Sequence, residues 1–187
     1  MISDDKPLHI RHLYAHKSIE HFKDDLDFLL LNFTSVSLMD VIAFVKKDSA
    51  LPENAMLLTF DDGFKEMHDI VAPILLKKGV TATFFISSDF TDNKKLCYQH
   101  KASILADNLQ GMPPSLLKNI KETLRTKGFI SEDINLNILS IKYRDRKIID
   151  ELATLMEIDL SDYLLKFRPY LTSEQITTLI KNGFYIG

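Results

Sequence analysis

The stretch from Leu57 to Ile86 constrains this chain more than any other. Leu57-Leu58-Thr59-Phe60 is a short apolar run that delivers two adjacent carboxylates and a glycine, Asp61-Asp62-Gly63, to the point where a strand ends. Behind it Ile70, Val71, Ile74, Leu75 and Leu76 recur at helical spacing, and Lys77-Lys78-Gly79 supplies a cationic last turn and a glycine stop. Val80-Thr81-Ala82-Thr83-Phe84-Phe85-Ile86 then follows, a β-branched and aromatic run of strand length. Strand, acidic turn, helix, strand is a βαβ unit, which commits this part of the chain to an α/β fold with parallel strands.

Ligand groups in such units sit at the carboxyl ends of strands, where Asp61 and Asp62 lie. Adjacent ionised carboxylates repel, and a chain keeps them together where a cation or a proton needs them. Neighbouring strand residues point to opposite faces, so at a strand end the two can address one site from different directions. One can hold a metal ion while the other takes a proton from water. Gly63 suits the turn because it accepts positive φ. Asp and Gly also dominate turns for local reasons, so the tripeptide alone reads first as a solvated turn, and its flanks decide.

Those flanks resemble the polysaccharide deacetylases of the NodB-homology type, carbohydrate esterase family four. Thr59-Phe60-Asp61-Asp62-Gly63 is similar to that family's first motif, and Ala72-Pro73-Ile74-Leu75 with Lys78-Gly79-Val80-Thr81-Ala82-Thr83-Phe84-Phe85-Ile86 is similar to its continuation. Upstream, Phe22 to Leu38 with Leu51-Pro52 resembles the lead-in helix and connector. The resemblance implies a partial, irregular (β/α)7 barrel with Asp61 as general base and Asp62 as ligand to a divalent metal, usually zinc. The reaction it implies is hydrolysis of N-acetyl or O-acetyl groups from an acetylated oligo- or polysaccharide.

Toward the C-terminus, Tyr170-Leu171-Thr172-Ser173-Glu174-Gln175 through Gly183-Phe184-Tyr185-Ile186-Gly187 is similar to the helix and strand that precede the family's second motif. Thr172 with Gln175 forms a capping box, and Gly183 stops the helix. The family's next residues are a His-(Ser/Thr)-x-x-His pair completing the metal site, followed by an Arg motif and a Leu-x-His that supplies the general acid. The sequence ends at Gly187 before any of them. Residues 1–187 are therefore expected to be one C-terminally incomplete deacetylase domain, with a poorly active metal site and exposed barrel edges that favour self-association. Phe167-Arg168-Pro169-Tyr170 precedes the helix, and Arg168 is read as structural.

Other histidines offer weaker candidates. His12 and His16 have the i, i+4 spacing that places two imidazoles on one helical face, with His9 and His21 close by. They precede the aspartates and lack a hydroxyl residue after the first His. His68 and His100 read as surface or satisfied helix residues.

The rest of the chain is expected to place a first strand near Leu8 to Leu13, a helix from Ile19 to Leu31 and a second from Leu38 to Lys47. Residues 89–169 are too long for an ordinary strand-to-helix connection and read as an inserted helical lobe. Leu96, Ile104, Leu105 and Leu109 mark one helix; Leu116, Leu117, Ile120 and Leu124, entered at Pro113-Pro114 and stopped at Gly128, mark another. Ile148, Ile149, Leu152, Leu155 and Met156 mark a third, while 131–143 mixes strand and helix periods. Such a lobe serves as packing decoration, a lid or a protein-interaction surface. Asn93-Lys94-Lys95 and Arg144 to Lys147 bring cations to it, a pattern common on solvated helix faces.

Composition narrows the partners. The net charge of −3 and the absence of a basic patch interleaved with aromatics argue against nucleic acid. A single cysteine, Cys97, excludes an intrachain disulfide and is expected to be a buried small hydrophobe. No apolar run reaches the roughly twenty residues of a membrane span. Met1-Ile2-Ser3-Asp4-Asp5-Lys6 lacks the apolar segment of a secretory signal, which points to the cytoplasm. Two readings stand beside the deacetylase: a non-catalytic barrel fragment acting as an interaction module, and a metal-dependent phosphotransfer enzyme with Asp61 as nucleophile, which the Ala-Thr-Phe-Phe element disfavours.

Overall fold

In a computed structural model describing residues 1–187, the run through Phe60 and the run from Val80 pair as parallel strands, as a βαβ unit requires. Strand β3 (Thr59–Phe60) lies beside β4 (Thr83–Phe84), which lies beside β5 (Tyr185–Ile186), so that β4 is central in a three-stranded parallel sheet. Two further strands, β1 (Thr34–Ser35) and β2 (Ala55–Met56), form a separate parallel pair. These are open sheets of two and three strands rather than a closed barrel. Of Val80–Ile86 only Thr83 and Phe84 form β4, although the Phe85 amide still donates to the Phe60 carbonyl at 2.8 Å and the Ile86 amide to the Gly187 carbonyl at 2.9 Å.

The chain divides into two compact units. The first comprises residues 1–5, 16–94 and 168–187. Its helices are α1 (Ile19–Asn32), α2 (Leu38–Val45), α3 (Ala72–Lys78) and α9 (Ser173–Lys181). Ser18 caps α1 by accepting from the His21 amide, and Ser37 with Asp40 forms a full capping box on α2. Helix α3 is preceded by a π-helical turn at Met67–Val71 and ends at Gly79, whose φ of 66° is the left-handed stop expected there. Thr172 and Gln175 cap α9 reciprocally. Phe22 and Leu26 of α1, Val71, Leu75, Ala82, Phe84, Leu179 and Phe184 make one apolar core around the sheet. Lys78 pairs with Asp27, joining α3 to α1.

The second unit comprises residues 6–15 and 95–167. Helices α4 (Tyr98–Asn108), α5 (Pro114–Thr126), α6 (Ile134–Leu139), α7 (Lys147–Leu155) and α8 (Leu160–Phe167) belong to it. Leu105, Ile120, Leu124, Ile138, Ile149 and Leu152 are fully buried in its core. The ambiguous 131–143 stretch resolves as α6, because Asp133 accepts from the amides of Asn135 and Leu136 and so starts a helix. Helix α8 was not anticipated; Asp159 opens it by accepting from the Ser161 and Asp162 amides, each at 2.9 Å.

Two expectations fail. Residues 8–13 are turns and not a strand, with the Ile10 amide bonded to Pro7 and the Leu13 amide to Ile10. Cys97 is half-exposed at the entrance of α4 rather than buried. No helix is long and apolar enough to cross a membrane.

Candidate functional site

Asp61 and Asp62 emerge, exposed, immediately after the carboxyl end of β3. The turn is tight: Asp62 has φ 79° and Gly63 φ 69°, two successive residues in the left-handed region. Asp tolerates that region better than most residues, and glycine enters it without penalty. A Cβ at Gly63 would meet Ile86 Cβ at 3.3 Å, so closeness to the chain just after β4 reinforces the need for glycine. The sheet therefore delivers the two carboxylates to a tight turn at its end.

The far side of the turn is held by residues 168–171. The Leu171 amide donates to the Gly63 carbonyl at 2.8 Å and the Lys65 amide to the Pro169 carbonyl at 2.9 Å, flanking an antiparallel bridge between Phe64 and Tyr170. The Tyr170 ring is 1% exposed and stacks between Phe64, at 6.0 Å, and Phe90, at 5.2 Å. Arg168 leads into this segment with φ 41° and is exposed.

Just downstream, Glu66 is buried and its Oε2 has no hydrogen-bond partner, so burial raises its carboxyl above the usual range. Asp92 shows the opposite behaviour: hydrogen bonds from the Ser173 amide and hydroxyl, each 2.7 Å, hold it below the usual carboxylate value.

No three or more His, Cys, Asp or Glu side chains come together. Carboxylate oxygens suit a divalent cation, but those of Asp61 and Asp62 alone fall short of the four ligands zinc takes.

The histidines do not complete it. His12 lies in a turn within the second unit and His16 in the first, so the helical face their spacing suggested does not form. His12 Nε2 instead approaches Asp107 at 3.2 Å, beside a two-pronged Arg11 contact at 3.0 and 3.1 Å. His68 Nδ1 lies 2.8 Å from Asp69, whose carboxylate also accepts from Gln175. His100 is buried at the edge of the His9 ring, 5.5 Å between centroids, and burial pulls its pKa down to about 4. His9 is buried too, its Nδ1 2.9 Å from the Tyr163 hydroxyl.

Sequence reasoning missed this buried His9, His100 and Tyr163 group and the Tyr170 segment. The only local sign was His100 four residues before Ile104, on the apolar face of α4.

Residues 48–123 match the family model described as polysaccharide deacetylase. No curated protein matches the chain. Among solved structures, a de-N-acetylase from Aggregatibacter actinomycetemcomitans is similar at 22% identity and a TM-score of 0.43, over 58% of this chain and 48% of that one. The chain thus spans about half of that protein. Streptococcus pyogenes deacetylase PplD, solved with acetate, gives 16% identity and 0.42, covering 74% and 75%. IcaB from Ammonifex degensii gives 17% and 0.39, covering 75% and 73%. None reaches a TM-score of 0.5, so the relationship rests on the sequence match, which contains Asp61, Asp62 and the whole of β3, α3 and β4.

Proposed function

We propose, from the match of residues 48–123 to the polysaccharide deacetylase family model, that the protein takes part in hydrolysing acetyl groups from an acetylated oligo- or polysaccharide. The observation that carries the reading is the delivery of two exposed, adjacent carboxylates to the carboxyl end of β3 inside the matched segment.

In this reading Asp61 is the general base. It accepts a proton from the water that attacks the acetyl carbonyl carbon; the new C–O bond forms as the carbonyl π pair moves onto oxygen. Collapse of that intermediate expels the sugar amine or hydroxyl, which must gain a proton. Asp62 is proposed as one ligand of a divalent metal, zinc in most of the family, and such an ion supplies Lewis-acid polarisation when bound. The parallel β3, β4 and β5 are proposed as part of a NodB-type barrel, and the free sides of β3 and β5 support self-association through strand edges.

The test is acetate release from N-acetylglucosamine oligomers, together with divalent-metal titration by calorimetry. Wild type should bind metal and release acetate slowly; Asp62→Ala should weaken binding by about tenfold or more and lose the remaining turnover with it. Unchanged metal affinity in Asp62→Ala would remove that residue from the site.

A further inference from the structure

The turn that carries Asp61 and Asp62 is fixed on one side by β3, but its other side depends on a segment more than a hundred residues away in sequence. Pro169, Tyr170 and Leu171 run beside Gly63 to Lys65, and the two amide bonds there use Pro169 and Leu171, not Tyr170. The backbone groups of Tyr170 face away from the turn. Both are taken by one side chain: the Tyr170 amide donates to Asn93 Oδ1 at 3.0 Å, and Asn93 Nδ2 donates to the Tyr170 carbonyl at 3.0 Å. A carboxamide bonded this way replaces a neighbouring strand, satisfying the donor and the acceptor of one residue at once.

Asn93 is built for this place. It has φ 57° and follows Asp92 at φ 64°, and a pair of side-chain-bearing residues in the left-handed region persists where surrounding bonds impose it. Those bonds are present. The Asp92 amide donates to the Leu171 carbonyl at 3.0 Å, and the Asp92 carboxylate receives the Ser173 amide and hydroxyl. Phe90 adds its ring to the Tyr170 stack from the same segment. Three stretches, 61–65, 90–93 and 169–173, are thus bonded in series, with Tyr170 in the middle.

We propose that Asn93 and Tyr170 are positioning residues for the Asp61–Asp62 turn, holding it at the angle its chemistry needs from the side that β3 does not reach. The inference rests on the reading of Asp61 and Asp62 as the reacting carboxylates. A turn held from one side only would sample orientations in which the base is misplaced, and misplacement of this kind lowers turnover more than binding. Asn93 and Tyr170 lie just inside the points where the chain leaves the first unit and returns to it.

The experiment compares Asn93→Gly, Asn93→Asp and a core control, Leu75→Ala, in the full protein. Glycine keeps the left-handed backbone and removes both side-chain bonds; aspartate keeps the acceptor for the Tyr170 amide and loses the donor. Amide hydrogen exchange of the peptides covering Lys65 and Leu171 reports the turn directly. Acetate release from an N-acetylglucosamine pentamer separates kcat from KM.

In Asn93→Gly the exchange of those amides should rise on the order of tenfold and kcat should fall on the order of tenfold with KM within about twofold. Asn93→Asp should lie between it and wild type in both. Leu75→Ala should lower the melting temperature at least as much while retaining kcat. Unchanged exchange in Asn93→Gly overturns the proposal, and so does faster exchange with wild-type kcat, or a kcat loss that Leu75→Ala reproduces. Asp61→Asn, run alongside, tells the two readings apart: wild-type turnover there means the site reading has failed, whereas the exchange result bears on the clasp alone.

Discussion

Acidification should weaken the second unit through a single buried imidazole. A solvated histidine takes its proton near 6.5, and burial moves His100 down to about 4. Between those values the unfolded chain binds a proton that the folded chain refuses, so stability rises with pH across the window. Falling pH removes it from 6.5 downward, and the loss is complete near 4, where both forms are protonated. At 1.36 kcal/mol per pH unit of displacement the whole loss is roughly 3 kcal/mol, of which about 2 kcal/mol falls between pH 7 and pH 5, before most carboxylates titrate. The His9 ring faces His100, and Lys101 beside it is paired with Asp150 at 2.7 Å. Urea unfolding followed by far-UV circular dichroism, at both pH values, for wild type and His100→Leu, measures the effect. Leucine carries its own packing cost, but that cost does not depend on pH and cancels in the comparison. Wild type should lose about 2 kcal/mol more than the variant on going from pH 7 to pH 5. Equal losses would refute the assignment.

Other substitutions test other levels of the structure. Gly63→Ala places a Cβ 3.3 Å from Ile86 Cβ at φ 69° and should cost about 1–2 kcal/mol in thermal melts while lowering acetate release. Leu152→Ala empties a fully buried position in the second core and should cost about 2–5 kcal/mol by urea titration. Thr172→Ala removes an acceptor 3.2 Å from the Gln175 amide and should cost about 1 kcal/mol, read as faster amide exchange in the first turn of α9.

What the sequence makes legible here is local. The β3–α3–β4 unit follows from an apolar run, a helical period and a glycine at the left-handed position after Lys78. The Thr172–Gln175 capping box is visible because both partners lie within four residues. What stays hidden depends on distant partners. Leu8, Ile10 and Leu13 suggest a strand, yet Ser103 donates its hydroxyl to the Leu8 carbonyl at 2.6 Å and accepts the His12 amide at 3.2 Å, stabilising a turn instead. His9 and His100 become neighbours across ninety-one positions, and only His100, on the apolar face of α4, carries a local signal of burial. At the candidate site, Asp61, Asp62 and Gly63 are readable as a strand-end motif, whereas Asn93 reads only as part of a cationic turn. Its bonds to Tyr170 span seventy-seven positions. Strand length is also a tertiary property, since within Val80–Ile86 only Thr83 and Phe84 have paired partners in both β3 and β5.

The central claim is that Asp61 removes the proton from attacking water while Asp62 serves the metal. It is tested most directly by measuring acetate release and bound divalent metal in the same preparation of Asp61→Asn, a change that keeps the shape of the side chain and abolishes its basicity. The account predicts metal content equal to wild type and turnover reduced about a hundredfold or more. Turnover at the wild-type rate, with metal bound, would contradict it.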